Sequence, residues 1–336
     1  MADAKMIQML AARHALRNTF VGIALAVSVA GLVYANILSI PAPVAAALAA
    51  ALAIEACLYA LPGIEGARKR LEQRLRRPAL ALLMTASAAL PYCVYALPTG
   101  VFRPASLAAI LALASVASFW YVFFPRRPAI DLAYVAVVGA VILLYPFARI
   151  YATPVPRLPL FILGQLMWTR LAIFECLSVG HMHPEGFGFL PRRREWAAGA
   201  INFLLFLPIG ALLGWALKLV RFHPRQGDWR ITALLAAATF LGMLWVVALR
   251  EEFFFRGLVQ RWLGRWLRND WAGLAAASIL FGLLHLPFRG FPNWRFAILA
   301  AVAGAFYGRA YLTTRSVRAA MVTHALVNTV WRVLFW

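Results

Sequence analysis

Negative charge is scarce in this 336-residue chain: twelve Asp and Glu stand against thirty-three Lys and Arg, and charged residues make up only 13%. A soluble domain carries about 25% charged residues, so a water-exposed globular surface is excluded for most of the chain. Cysteine is scarcer still. Cys57, Cys93 and Cys176 lie in or beside apolar runs without CxxC spacing. Neither a disulfide framework nor a structural zinc site is indicated, and the three read as packing residues. Several catalytic signatures are missing too. There is no HExxH and no GxSxG, and Asp131 is the one aspartate inside an apolar run, so no aspartyl dyad can form.

What the chain has in abundance is apolar sequence, 63% of the whole. Roughly twenty apolar residues cross the hydrocarbon core as a helix. Eleven segments qualify as candidates: 19–38, 43–61, 79–97, 104–124, 129–148, 158–179, 197–220, 231–256, 271–286, 296–312 and 317–335. The expected fold is an all-α, polytopic transmembrane bundle of about eleven spans, the first of them uncleaved. The polar break HMHPEGFGFLPRRR, residues 181–194, marks an expected boundary between regions 1–190 and 191–336. Two pairs with small-residue spacing, Gly210 with Gly214 and Gly304 with Gly308, read as ordinary bundle packing.

The net charge of +21 is spread over many short loops rather than gathered on one hydrophilic face. That pattern fits membrane orientation and anionic headgroups, and it argues against nucleic acid as a partner. With the N-terminus inside, the inner loops would hold twenty Lys and Arg against nine outside. The expectation is a multi-pass protein of a prokaryotic-style inner membrane with a cytoplasmic N-terminus.

Ionisable residues inside spans are costly and are functional candidates by default. The densest group is Arg250, Glu251, Glu252 and Arg256 in ALREEFFFRG. Arg256, four residues after Glu252, falls on the same helical face and can neutralise it, which leaves Glu251 free to take a proton from water. The same residues also fit a charge network at a helix end, and alone they do not decide. FGLLHLP places Phe281 and His285 four apart, and THALVN does the same for His324 and Asn328. Glu251 and His285 are each about seventeen residues, or roughly 25 Å, from the polar turn at Arg268 to Asp270, and so come to matching depth. His324 lies only about nine residues, or roughly 13 Å, beyond its own turn at Thr313 to Ser316. Helix tilt, or a hairpin that projects inward, has to absorb the difference.

The ordered set Glu251-Glu252-x-x-x-Arg256, Phe281-x-x-x-His285 and His324-x-x-x-Asn328 resembles the CAAX protease and bacteriocin-processing family of glutamic intramembrane proteases. The resemblance covers about the last 130 residues. It implies that Glu251, assisted by His285, activates water, and that Glu252 and Arg256 hold the local charge arrangement. His324 and Asn328 would stabilise the oxyanion on the scissile carbonyl. The implied substrate is a membrane-anchored or lipidated protein, or a small peptide, cut in or near the bilayer. No cofactor is expected, although a metal held by Glu251, His285 and His324 is a chemically open variant.

Other polar residues in the first half are set aside. Glu55 reads as a lone acid near a helix end. Arg170, Glu175, Cys176, His181 and His183 form a patch that could hold a thiol nucleophile, but Arg170 and Glu175 read more simply as a pair or as bundle-facing residues. Two rival functions use the same acids and histidines. One is a proton-coupled transporter, and the other is a non-catalytic immunity or scaffold protein.

Overall fold

The computed structural model describes residues 2–156, 158–223 and 228–335, and side chains from residue 14 onward. Among the counted loop charges, the side chains of Lys5 and Arg13, and the residues Arg157 and Arg225, lie outside this description. The described chain is helical throughout, without a strand. It divides into two compact units, one up to Met182 and one from His183.

Eight helices are long and apolar enough to cross a membrane. Two shorter apolar helices and an eighteen-residue C-terminal helix complete the set, so each of the eleven candidate segments contains a helix. These helices describe an integral membrane protein. Exposure agrees: Leu204, Leu212 and Trp215 are more than half exposed on one helix, a surface that lipid covers and water does not.

The first unit holds α1 (Ala2–Ile37), α2 (Ala42–Ala60), α3 (Glu65–Arg74), α4 (Arg77–Ala96), α5 (Pro104–Phe123), α6 (Pro128–Leu144), the single turn α7 (Phe147–Ile150) and α8 (Phe161–Val179). Proline stands in the first turn of α2, α4, α5 and α6, where its missing N–H leaves no helical bond unmade. At the centre, Arg170 of α8 meets Glu55 of α2 at 2.7 Å and Ser87 of α4 at 2.9 Å. Glu55 is therefore not a lone acid. Arg170 pairs with it rather than with Glu175, whose carboxylate instead accepts the backbone N–H of Tyr121 at 2.7 Å. Cys176 is fully buried, which leaves its thiol no access to a substrate.

The second unit holds α9 (Arg193–Ala216), α10 (Trp229–Trp266), α11 (Asp270–Leu283), α12 (Trp294–Thr314) and α13 (Val317–Leu334). Asn269 caps α11 by accepting from the N–H groups of Trp271 and Ala272, and Asn293 caps α12 by accepting from Phe296. The α10–α11 hairpin closes tightly: a Cβ on Gly273 would collide with the backbone nitrogen of Gly264. Gly304 and Gly308 of α12 lie against Phe281, Ser278 and Leu274 of α11, the close helix approach expected of them. Gly210 instead faces the Phe206 ring of its own helix, and Gly214 faces Val220.

Helix α13 is fixed at its start by Glu195 of α9, which accepts from Ser316 Oγ at 2.6 Å and from Arg318 Nη2 at 2.8 Å. One turn further, Thr323 donates to the carbonyl of Gly199, and Val322 fills the space that glycine leaves. Val317 packs beside Gly257 of α10, nine residues before Trp266. The end of α10 therefore runs past the start of α13 by roughly 13 Å. That overhang is the projecting hairpin needed to bring His324 level with the glutamates.

Candidate active site

Helix α10 is continuous from Trp229 to Trp266, but two stretches within it, Met243–Ala248 and Phe255–Gln260, are wound as π-helix. Between them lie six α-helical residues, Leu249–Phe254, with the glutamate pair at their centre. A π turn inserts an extra residue and rotates everything beyond it, and such turns gather at functional sites. Nothing in the spacing of apolar residues announced either one.

Glu252 and Arg256 are both fully buried and form an ion pair at 3.2 Å. Arg256 also donates from Nη2 to the carbonyl of Gly304 at 2.8 Å. Its guanidinium carbon lies 5.0 Å from the Phe281 ring centre and 5.7 Å from those of Phe255 and Tyr307. Three ring faces thus supply the charge stabilisation that hydrogen bonds do not, since Nη1 finds no hydrogen-bond partner. This cation is sealed in place, and so is the carboxylate it holds.

His324 joins the two glutamates. Its Nδ1 lies 2.6 Å from Glu252 Oε1 and its Nε2 lies 3.8 Å from Glu251 Oε2. The ring stacks on Tyr307, with centroids 4.4 Å apart and planes 12° apart, and Phe281 meets it edge-on. An ionised Glu252 can only accept, so Nδ1 is the donor in that bond and Nε2 is directed at Glu251.

His285 lies just beyond the end of α11 rather than within it, because the helix stops at Leu283. Its Nδ1 lies 2.7 Å from the Phe281 carbonyl, one of the acceptors a helix leaves open at its C-terminus. A carbonyl only accepts, so Nδ1 donates and Nε2 is the nitrogen left for chemistry. The electrostatic neighbours of Glu251 are His324, Arg250 and His285. Asn328, one turn beyond His324, directs its amide at the sulfur of Met243, 3.8 Å away. A thioether is a weak acceptor, which a substrate oxygen can displace.

All six sequence-derived residues therefore fall in the second unit. Glu251, Glu252, Arg256 and His324 form one connected group, His285 borders Glu251 without a direct hydrogen bond, and Asn328 flanks the group on α13. Among the described residues no set of three His, Cys, Asp or Glu is arranged to hold a metal ion. Tyr307, Met243 and the carbonyl of Gly304 escaped the sequence reading, since none carries charge or stands in a spaced motif. Chemically, the group offers a mostly buried carboxylate that keeps some exposure, an imidazole aimed at it, and a sealed ion pair that fixes the imidazole.

No curated protein and no solved structure matches the chain. One protein family does, over residues 233–330, the span that contains all six of these side chains: Rce1-like, type II CAAX prenyl endopeptidase Rce1-like. That C-terminal segment is thus similar to the CAAX endopeptidase family which its three motifs resemble.

Proposed function

We propose that the second unit hydrolyses a peptide bond in or near the membrane, with Glu251 as the base that activates water. The observation that carries this reading is the position of His324, hydrogen-bonded to Glu252 and facing Glu251.

Glu251 takes a proton from water, and the resulting hydroxide adds to the substrate carbonyl. His285, its Nδ1 held by the Phe281 carbonyl, presents Nε2 to steady that water. The tetrahedral oxyanion accepts from Nε2 of a protonated His324 and from the Asn328 amide, which leaves Met243. Glu252, anchored by Arg256, orients His324 and balances its charge. Glu251 then returns its proton to the departing nitrogen. Water is the only co-reactant, and no metal enters the scheme.

In this reading the substrate is the terminus of a membrane-anchored or lipidated protein, or a small peptide, and the count of loop charges supports a cytoplasmic N-terminus. The test compares new C-termini in membrane proteomes of cells carrying wild-type or Glu251→Gln protein. Peptide ends present only with the wild type support hydrolysis; identical ends in both count against it.

A further inference from the structure

Arg250 has no part in the three motifs, yet it shares the site. It stands in α10, roughly 31 Å along the helix from Trp229 and roughly 24 Å from Trp266, too deep for its side chain to reach either end. An arginine at such depth is expensive unless it faces a partner or a wet cavity. Its side chain is 12% exposed, and among the described residues its ion-pair partner is Glu251, with Nη2 at 3.5 Å from Oε1. Both keep some exposure, Glu251 at 22%.

Apart from the imidazoles, the charges of the site fall into two pairs. Glu252 and Arg256 neutralise each other in a closed compartment behind Phe281 and Tyr307. Arg250 and Glu251 do the same on the less buried side. The second pair is looser than a hydrogen bond, and Oε2 of the same carboxylate stands 3.8 Å from His324. Neither contact clamps the carboxylate, so it can turn toward a water.

We propose that Arg250 is the travelling charge's fixed partner: it balances Glu251 before reaction and the tetrahedral oxyanion during it. The inference rests on Glu251 being the base. When Glu251 takes a proton from water, its carboxylate becomes neutral. The hydroxide adds to the carbonyl carbon, the carbonyl π pair moves to oxygen, and the negative charge reappears there. With Glu251 neutral and no other anion beside it, Arg250 would be left uncompensated in a site of low dielectric, so it favours the state in which the new anion forms close by. On collapse the proton passes from Glu251 to the leaving nitrogen, the C–N bond breaks, and the original pair is restored. Arg256 cannot serve here because its guanidinium is fully buried and committed to Glu252 and Gly304.

The test uses the full-length protein in proteoliposomes and a mixture of quenched fluorogenic peptides with free and lipidated termini. Turnover is followed for wild type, Arg250→Gln, Arg250→Lys and Glu251→Gln. Arg250→Gln is expected to lower kcat about 100-fold or more, on the scale of losing an oxyanion donor, with KM changed less than about threefold. Arg250→Lys should recover at least about a tenth of the wild-type rate, since a point charge suffices for balance. A phosphinic analogue of the cleaved peptide, which carries a tetrahedral anion, should lose affinity in Arg250→Gln in step with kcat. Arg250→Gln with near wild-type kcat overturns the proposal. So does a loss that Lys does not rescue and that leaves phosphinate affinity intact. Full turnover in Glu251→Gln would overturn the underlying reading instead, whatever Arg250→Gln does.

Discussion

His324 Nδ1 stands 2.6 Å from Glu252 Oε1, and that carboxylate is in turn pinned by Arg256 at 3.2 Å. On the proposed mechanism the second glutamate of the pair is therefore a fixture for the imidazole rather than a second base. Glu252→Gln keeps the shape but weakens the grip on the His324 imidazole. We expect kcat to fall by about 10²-fold, with KM little changed. Glu252→Ala leaves Arg256 buried and unpaired, and should destabilise the protein by about 3–5 kcal/mol. Peptide turnover beside thermal unfolding of both variants separates the two effects.

The site is held at a distance by Gly199. A Cβ there would lie 2.5 Å from Val322 Cβ and 3.0 Å from the backbone oxygen of Ala319, both on the turn of α13 that precedes His324. Gly199→Ala should force α13 outward, at a cost of about 1–3 kcal/mol in stability. Turnover should drop as well, although residue 199 touches none of the polar site residues. A variant with wild-type melting and wild-type rate would show that α13 is free to shift.

Both histidine Nδ1 atoms are already engaged, one by a carbonyl and one by Glu252. The proposed scheme needs only Glu251 and water, so hydrolysis should survive chelation. Turnover is expected to stay within about twofold after dialysis against EDTA or 1,10-phenanthroline. Activity lost on dialysis and restored by zinc would favour the metal variant at Glu251, His285 and His324.

In the first unit, Arg170 ties α2 and α4 to α8 through Glu55 and Ser87. Glu55→Ala strands a buried guanidinium and should cost about 3–5 kcal/mol, read as a lower unfolding midpoint in detergent. Cys176→Ala, by contrast, should leave turnover unchanged, because the thiol is fully buried in a unit that contains none of the six site residues.

Much of the fold was legible because lipid imposes one rule: an apolar stretch of sufficient length becomes a helix that satisfies its own backbone. Boundaries were legible where proline opens a helix, as at Pro78, Pro104 and Pro128. The site residues were legible as charged or hydrogen-bonding groups at four-residue spacing. Contacts between helices were not, since they depend on tilt and overhang that no single segment encodes. The partner of Glu55 lies 115 residues away in sequence, and that of Glu252 lies 72 away. The two π segments of α10 were invisible for another reason: one extra residue in a turn leaves no mark in a helix that is apolar on most sides.

The most direct measurement follows peptide cleavage and ion flux in the same proteoliposomes, for wild type and for Glu251→Gln. The expected result is cleavage by the wild type without coupled flux, and a loss of about 10²- to 10⁴-fold in the variant, whose melting temperature stays unchanged. Cleavage at the wild-type rate in Glu251→Gln, or proton flux from a wild-type protein that cuts no peptide, would contradict it.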